Sequence, residues 1–293
     1  MLTFSVIICT YNRCDLLKES LVSILSIMPD NGKYELIVID NNSTDNTKET
    51  VRNFTNVRYV LEANQGLSYA RNRAIKESQN TILLFLDDDI ELNSNYFEIC
   101  KALYSESDCN IVGGKVLPYK VQIPHWLAPE FYYLSSVFDL GNQPMDVSKV
   151  MGANYTMRKS VAVEVGGYNI NLGRKGKNLA GGEEVEYLNR AKSKGYKINY
   201  EPNLVVYHKI NEKLEQEYIL SYAFQHGQSE VLVDLGMSKL RFSLKIVKAL
   251  LVTAMTKMRI YRYSDLQKDM SAQIKSKYFS GYIKSALLIG HKF

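Results

Sequence analysis

Short apolar runs alternate with amphipathic stretches over the first hundred residues of the chain. Runs such as LIVID and ILLFL are hydrophobic at consecutive positions. This is typical of strands that helices cover on both sides of a largely parallel sheet. The pattern therefore predicts β/α alternation. The predicted strands are SVIICT, ELIVID, VRYVL and TILLFLD, and the predicted helices are DLLKESLVSIL, NTKETVRNF and LSYARNRAIKES.

Polar clusters follow three of the predicted strands, at residues 10–13, 40–45 and 87–89. In open α/β sheets, ligands bind beyond the carboxyl ends of the strands. We therefore expect these clusters to converge on one crevice.

The character of the chain changes after residue 110. The segments GGKVLPY, IPHWLAPEFYYL and VMGANYTM predict strands and loops that form a second half of the same domain. Next, EEVEYLNRAKSKG predicts a helix that ends just before Gly195, and LVVYH predicts a further strand. We expect one domain over residues 1–212, with halves of about 1–110 and 111–212, followed by a helical, basic region over 213–293.

The clearest helical pattern of the last region is KLRFSLKIVKALLVTAMTKMRIYR. It places Arg241, Lys245 and Lys248 on one face of a helix. Its longest uncharged stretch, residues 249–256, is far shorter than the roughly 20 residues that a membrane-spanning helix needs. The predicted helix also carries an apolar stripe, made of Leu244, Val247, Leu251, Met255 and Met258.

The composition, 46% hydrophobic and 23% charged over 293 residues, indicates a folded globular protein and excludes disorder, collagen and coiled coil. The net charge of +5 is unevenly distributed. Residues 1–237 carry 24 Lys and Arg against 29 Asp and Glu, whereas residues 238–293 carry 12 against 2. The usual partner of so basic a segment is an anionic surface.

The four cysteines form no CxxC pair and show no zinc-like spacing with the histidines. Neither a disulfide framework nor a Cys/His metal site is therefore expected, and a reducing compartment fits best. The N-terminal apolar run is short and has no basic region ahead of it, which predicts a buried strand and not a signal peptide. We expect a cytoplasmic protein.

Three consecutive aspartates, Asp87, Asp88 and Asp89, end an apolar strand. Carboxylates this close repel one another, so the cluster is costly unless a cation is present. Mg²⁺ and Mn²⁺ take oxygen ligands and commonly add substrate phosphates to them. A turn followed by a helix cap is the alternative interpretation. Asp40 also ends a strand, and a turn or cap is an alternative there too.

Other polar residues beside these strands have both a functional and a purely structural interpretation. The backbone amides and the aromatic ring of Thr10, Tyr11 and Asn12 suit a planar base. Arg71 lies on a predicted helix, where it could instead belong to a solvated basic face. Asn64 precedes that helix and could belong only to a turn.

The ordered motifs of residues 3–230 resemble those of the family 2 glycosyltransferases, which are inverting enzymes of the GT-A fold. The resemblance implies an α/β fold with a Rossmann-like, mostly parallel central sheet flanked by helices. It also implies a nucleotide-sugar donor, a divalent metal and transfer of one sugar to an acceptor hydroxyl with inversion. The motifs are SVIICTYNR, ELIVIDNNSTDNT, NQGLSYARNRAI, LLFLDDDIEL, GANYTMRKSVAVEVGGY and GGEEVEYLNRAKSKGYKINYEPNLVVYH.

The resemblance assigns roles on the nucleotide and metal side of the site. Asp40 matches the residue that binds the base, and Asp87 and Asp89 match the DxD motif. Asp89 is similar to the direct metal ligand, while Asp87 and Asp88 face the ribose or the water shell of the metal. The remaining nucleotide-binding residues by this resemblance are Thr10, Tyr11, Asn12, Asn64 and Arg71.

Glu183 and Glu184 are similar to the ED motif of the family, which implies that Glu184 is the general base. Glu183 stays an alternative, and acidic capping of a helix is the structural interpretation of both. His208 ends the LVVYH strand. In similar enzymes a histidine there reaches the metal or the diphosphate, although a lone histidine after a strand is more often structural.

A pocket for the donor sugar and the acceptor is expected around three further segments. Gly152, Ala153 and Asn154 come from the matching GANYTM motif. Trp126 would offer an aromatic face to a sugar, the alternative being a core position. A glycine-flanked segment that could close over the phosphates, or simply be a solvated loop, contains Arg174, Lys175 and Lys177.

The resemblance thus implies a metal-dependent inverting glycosyltransferase that uses Mg²⁺ or Mn²⁺ and a nucleotide-sugar. UDP is the expected nucleotide, because uridine is the commonest base in the family. The acceptor would be a glycan or a lipid-linked sugar of polysaccharide or glycolipid synthesis. Two rivals stay open. A sugar nucleotidyltransferase would normally show a glycine-rich phosphate loop after the first strand, which CTYNRCD lacks. A non-catalytic module that binds nucleotide-sugars or glycans is the other.

The basic region over residues 238–293 predicts peripheral association with an anionic membrane, at the inner face of the plasma membrane. The alternative is that its apolar stripe packs against the body or against a second subunit, as in a homodimer. Nucleic acid is not expected, because no recognition motif accompanies the charge.

Overall fold

The structure, a computed structural model, describes residues 2–106, 108–176, 178–257 and 265–290, which divide into two units. The first unit comprises the described residues of Met1–Lys120, Val137–Asn171 and Glu184–Lys209. The second comprises those of Val121–Ser136, Leu172–Glu183 and the chain from Ile210 onward. The domain boundary at residue 212 stays a prediction, although the segments 121–136 and 172–183 cluster with the C-terminal helices.

In the described part of the first unit, nine strands form one sheet in the order β3-β2-β1-β4-β8-β6-β9-β5, and β7 also pairs with β9. Strands β1 to β4 run parallel, as do β6 and β9. Strand β8 is antiparallel to β4 and β6, and β5 and β7 are antiparallel to β9. The predicted mostly parallel sheet is confirmed. The strands are β1 (Phe4–Thr10), β2 (Tyr34–Asp40), β3 (Val57–Leu61), β4 (Ile82–Leu86), β5 (Ile90–Leu92), β6 (Ile111–Pro118), β7 (Met145–Asp146), β8 (Asn154–Arg158) and β9 (Ile198–His208).

Helices cover both faces of this sheet, as the continuous apolar strands predict. Successive side chains of β1 point to opposite faces. Ile8 packs in one core with Leu21 of the first helix, and Ile7 packs in a second core with Ala74 of the third helix. The helices of this region are α1 (Cys14–Ile27), α2 (Thr47–Arg52), α3 (Leu67–Glu77), α4 (Tyr96–Glu106), α5 (Lys159–Val165) and α6 (Glu183–Ser193).

The strand registers bring the polar clusters to one edge of the sheet. Thr10, the last residue of β1, is paired with Asp40, the last residue of β2. On the other side of β1, Ile8 is paired with Leu86, so the aspartates that follow β4 emerge beside Thr10. The pairing of β5 with β9 sets Ile90 opposite His208. The predicted convergence of the clusters is therefore confirmed.

The second unit is mainly helical. Its long helices α7 and α9 pack closely because two glycines lie at their contact: a Cβ on Gly227 would lie 2.0 Å from the carbonyl oxygen of Tyr278, and one on Gly281 equally close to that of Phe224. The elements are 3-10 helices over Pro129–Ser135 and Asn211–Leu214, and the helices α7 (Gln216–Met237), α8 (Lys239–Lys257) and α9 (Leu266–Gly290).

The segment IPHWLAPEFYYL forms a loop and a 3-10 helix, so the prediction that it contributes strands and loops to the first domain is corrected. Phe131 and Leu134 pack with Ile219 and Ala223 of α7 in an apolar core of the second unit. Trp126 is partly buried against this core. Burial of these apolar side chains against α7, rather than strand pairing, determines the local conformation.

Two basic residues of helix α8 contact helix α7, whereas its apolar stripe is exposed. Arg241 and Lys245 reach the fully buried Asp234 of α7, with N–O distances of 2.8 and 3.0 Å. The apolar stripe instead faces outward: Leu244 and Leu251 are 64% and 59% exposed. Met258 of this stripe lies outside the described residues, and association of the stripe with an anionic membrane or with a second subunit stays a prediction. Among the described helices, none combines the length and apolar character needed to cross a bilayer.

Candidate active site

The aspartates after β4 meet a histidine from β9. Asp89 is completely buried, and its Oδ1 lies 2.6 Å from Nε2 of His208. The same nitrogen lies 3.7 Å from Oδ2 of Asp87, whose side chain is partly exposed. One ligand atom from each of these three residues falls within 4.8 Å of the others. Two carboxylates and an imidazole are ligands that divalent metals accept, so the residues fit the implied ion.

Arg13, which the sequence analysis assigned no role, bridges two of the aspartates. Its Nη1 and Nη2 donate to Asp88 Oδ1 and Asp89 Oδ2, both over 2.6 Å. Burial lowers the pKa of Arg13, but the adjacent carboxylates outweigh this and raise it overall. Burial raises the pKa of Asp88 to about 6, although Arg13 opposes the shift. The sequence did contain a signal for Arg13: three consecutive aspartates repel one another, which favours a nearby positive charge.

The loops after β1 and β2 are tied to each other and to the aspartates. The hydroxyl of Thr10 donates to Asp88 Oδ2 over 2.7 Å. Asn12 has a left-handed backbone (φ 52°), its N–H donates to the hydroxyl of Ser43, and its Oδ1 accepts from the N–H of Thr44. Tyr11 is partly exposed between them. These contacts hold the predicted nucleotide loop in one conformation.

Asp40 is buried at the end of β2 and already has protein partners. Its Oδ2 accepts from the hydroxyl of Tyr59 over 2.7 Å, and its Oδ1 accepts from the N–H of Ser43 over 2.8 Å. Burial, followed by this contact with Asp40, raises the pKa of Tyr59. Nearby, the backbone carbonyl of Asn64 accepts from the side chain of Asn41 over 2.8 Å. The base-binding role of Asp40 and Asn64 stays a prediction.

Arg71 of α3 and Glu184 of α6 form an ion pair in which Nη2 lies 2.8 Å from Oε1. Arg71 is buried, with its guanidinium carbon 5.8 and 5.5 Å from the ring centres of Tyr155 and Tyr168. A Cβ on Gly152 would lie 2.2 Å from Oε1 of Glu184 and 2.7 Å from Nη2 of Arg71. Only a glycine at this position leaves room for the pair.

Cys9 of β1 is half-buried, and the pKa of its thiol is influenced by Arg71 and by the aspartates. Burial raises the pKa of Cys9 to about 12, while Arg71 lowers it and Asp87 raises it. Arg71 and Asp87 therefore act on the pKa of this thiol with opposite signs.

Other predicted site residues have mainly internal contacts. Asn154 is buried and accepts from the hydroxyl of Tyr96 over 2.8 Å, and its amide donates to the carbonyls of Lys115 and Leu204. Ala153 and Glu183 are also buried. The assignment of these three residues to the pocket or to catalysis stays a prediction.

The predicted phosphate-covering segment belongs to the second unit. The guanidinium carbon of Arg174 lies 5.6 Å from the ring centre of Tyr222. Lys175 exchanges backbone hydrogen bonds with Asn178. Lys177 lies outside the described residues. Contact of Arg174, Lys175 or Trp126 with a donor or an acceptor stays a prediction.

The overall fold is similar to that of solved glycosyltransferases. Mannosyltransferase PcManGT from Pyrobaculum calidifontis, solved in complex with GDP-Man and Mn²⁺, superposes with a TM-score of 0.65 at 15% identity, over 97% of this chain and 86% of that one. The present chain therefore has the GT-A fold, with additional C-terminal helices.

Sequence comparison then identifies the family. Residues 5–166 match Glycosyl transferase family 2, and the chain belongs to that family. The glucosyl-dolichyl phosphate glucuronosyltransferase of Haloferax volcanii is 26% identical over 243 residues, 79% of this chain and 77% of that protein. Glycosyltransferase AglE of the same organism is 27% identical over 281 residues, 94% and 88% of the two chains. The protein is a glycosyltransferase.

Proposed function

We propose that this glycosyltransferase moves a sugar from a nucleoside-diphosphate donor, a UDP-sugar, to an acceptor hydroxyl, with a divalent metal and with inversion at the anomeric carbon. The observation that carries the proposal is the meeting of Asp87, Asp89 and His208 beyond the end of β4, within 4.8 Å of one another. Ligands bind at this edge in open α/β sheets. The nucleotide-sugar and Mn²⁺ bound to PcManGT support the same chemistry here.

The donor would be held by both chain and metal. Asp87, Asp89 and His208 would hold Mg²⁺ or Mn²⁺, with Asp88 toward the ribose or the water shell of the metal. When bound, the ion offsets the negative charge that develops on the leaving diphosphate. We assign six residues to the pocket for the donor sugar and the acceptor: Gly152, Ala153, Asn154, Trp126, Arg174 and Lys175. The proposed nucleotide contacts are Thr10, Tyr11, Asn12, Asp40, Asn64 and Arg71.

Glu184 is the proposed general base. The acceptor oxygen attacks the anomeric carbon, the bond from that carbon to the diphosphate oxygen breaks on the opposite face, and Glu184 takes the hydroxyl proton. Its side chain is 21% exposed, so an acceptor can reach it, whereas Glu183 is almost fully buried. General-base catalysis typically contributes about 100-fold to 10,000-fold.

The proposed acceptor is a glycan or a lipid-linked sugar in polysaccharide or glycolipid synthesis. The names of relatives support this, since one acts on a glucosyl-dolichyl phosphate. We place the enzyme in the cytoplasm, peripheral to the inner face of the plasma membrane. A homodimer stays a prediction.

The test is a panel of nucleoside diphosphates and nucleotide-sugars in thermal unfolding, with and without Mn²⁺, followed by a transfer assay. A ligand that binds only the folded state raises its apparent stability. We expect stabilisation by nucleotides of one base, dependent on Mn²⁺ and lost in Asp89→Asn. Donor binding without any turnover would favour the non-catalytic binding module. Unchanged transfer in both Asp89→Asn and Glu184→Gln would refute the site.

A further inference from the structure

The outward face of α8 is a continuous apolar stripe on the surface of the second unit. Leu240 is 69% exposed, Leu244 64% and Leu251 59%, with Val247 and Leu250 more than half exposed between them. Four of these five residues follow at intervals of four, three and four, so they line one side of the helix. Scattered exposed leucines need no explanation, but a contiguous apolar surface indicates a binding partner.

The charge of this segment identifies the kind of partner. Residues 238–264 contain seven lysines and arginines and no acidic residue. Lys239 and Lys248 are exposed along the two edges of the stripe. An apolar stripe flanked by basic side chains is the pattern of a helix that lies in the plane of an anionic membrane. The long side chains of lysine can lie along the apolar surface while their charges reach the headgroups.

The same charges disfavour a second copy of this helix as the partner. Paired helices normally offset the basic residues that flank their apolar seam with acidic ones. Residues 238–264 offer no acidic side chain for that purpose. Two copies would therefore bring like charges together, whereas an anionic bilayer neutralises them.

A groove beside the stripe extends this chemistry. It has a volume of about 480 Å³ and is lined by apolar Leu240, Leu244 and Phe279 and by basic Arg241, Lys245 and Lys248. Arg241 and Lys245 also neutralise Asp234. Lys245 also pairs with Glu230. The apolar lining residues and Lys248 are therefore what this groove offers to the acyl chain and the anionic headgroup of a lipid.

We propose that the protein docks on an anionic lipid bilayer through the outward stripe of α8, with Leu240, Leu244, Val247 and Leu251 in the acyl boundary and the basic side chains at the headgroups. The inference rests on the proposed function in one respect: docking would bring the active site to a lipid-linked acceptor. Binding to vesicles needs neither donor nor metal, so the two proposals fail separately.

The experiment measures co-sedimentation of the full chain with vesicles of phosphatidylcholine and phosphatidylglycerol in equal parts, and with vesicles of phosphatidylcholine alone. The wild type is expected to bind the anionic vesicles more tightly and to be released by high salt. The double variant Leu244→Glu/Leu251→Glu should bind on the order of a hundredfold more weakly, because both apolar contacts are lost. Lys239→Ala should bind about fivefold more weakly.

Val163→Glu is the matched control, since Val163 is 67% exposed on α5 of the first unit. It should bind vesicles as the wild type does. Circular dichroism and thermal unfolding check that each variant is folded, which is expected because every replaced side chain is exposed. Equal binding to both kinds of vesicle, or wild-type binding by the double variant, would overturn the proposal. The proposal would also be overturned if light scattering showed that the wild type is a dimer and the double variant a monomer, and neither protein bound vesicles.

Discussion

The guanidinium of Arg71 donates a hydrogen bond to the carboxylate of Glu184 over 2.8 Å. Arg71, which we propose contacts the nucleotide, is thus hydrogen-bonded to Glu184, which we propose deprotonates the acceptor. A carboxylate that keeps a bound cation accepts a proton less readily. Donor phosphates that attract Arg71 would weaken its hold on Glu184, which would couple donor binding to the readiness of the base.

Replacement of Glu184 by glutamine tests the base without removing the contact. The amide oxygen can still accept from Arg71, but the buried guanidinium loses its charged partner. We therefore expect a loss of about 1–3 kcal/mol in the free energy of unfolding and little change in donor binding. Turnover should fall by about 100-fold to 10,000-fold, because the amide cannot take the hydroxyl proton. Initial rates of sugar transfer measure this. A decrease of only a few fold in turnover would show that another group takes the hydroxyl proton. Glu183→Gln would then be the next variant to test.

Gly152→Ala is expected to disturb the same pair by crowding. The added methyl group would lie 2.2 Å from Oε1 of Glu184, so the carboxylate must move. A displacement of about 1 Å in an active site can cost on the order of 100-fold in rate. We expect kcat to fall by about 10-fold to 100-fold.

The matched control for this variant is Gly236→Ala. Gly236 lies in α7, and a Cβ there would meet no atom of the described chain within 4 Å. This variant should keep full activity. Equal kcat values for Gly152→Ala and the wild type would show that Glu184 does not need its present position.

Arg13→Ala removes the cation that bridges Asp88 and Asp89. The two buried carboxylates would lose a charged partner, and we expect a loss of about 1–3 kcal/mol in the free energy of unfolding. A divalent metal should restore much of it, because Arg13 no longer competes for the carboxylates. Thermal unfolding with increasing Mn²⁺ should therefore show a larger stabilisation of the variant than of the wild type.

Arg58→Ala controls for the loss of an arginine between two carboxylates. Arg58 contacts Glu35 and Glu77, and its side chain is 34% exposed against 33% for Arg13. Its removal should leave the response to Mn²⁺ as in the wild type. If Arg13→Ala and Arg58→Ala respond alike to Mn²⁺, then Arg13 does not report on a metal site.

A pH prediction concerns the helical unit. Burial acts to raise the pKa of Glu230, but Lys245 outweighs it, so the pKa lies below the ordinary 4.5. A lowered pKa stabilises the fold above about pH 4.5, and the contribution is lost as pH falls through the folded-state value. Glu230→Gln should therefore lower Tm at pH 7 by about 2–4 °C, for a contribution on the order of 1 kcal/mol. The difference should shrink as the pH falls to about 3.

Glu217→Gln, at an exposed position of the same helix, is the control for this prediction. Its Tm should match that of the wild type at both pH values. Lys245 Nζ lies 2.5 Å from Oε1 of Glu230. A constant difference in Tm between Glu230→Gln and the wild type across the pH range would contradict a contribution of this ion pair.

Much of the fold could be predicted from local pattern. The strands and helices from β1 to β4 are those that the apolar runs and amphipathic stretches indicate, because each is set by residues close in the chain. The short strand β5 and helix α4 that follow were not predicted. The gathering of Thr10, Asp40 and the aspartates after β4 also followed, since parallel strands end at a common edge. IPHWLAPEFYYL was predicted differently because its apolar residues pack with α7, which lies some ninety residues further along the chain.

The sequence by itself determined the β/α order, the acidic clusters at the strand ends and the concentration of basic residues after residue 237. Only the tertiary structure decided that Arg13 neutralises Asp88 and Asp89, that Glu184 pairs with Arg71, and that α8 turns its leucines outward. The physical reason is that periodicity describes one element at a time. The buried Asp234 of α7 attracts Arg241 and Lys245, and which face of α8 turns inward depends on such charges on neighbouring elements.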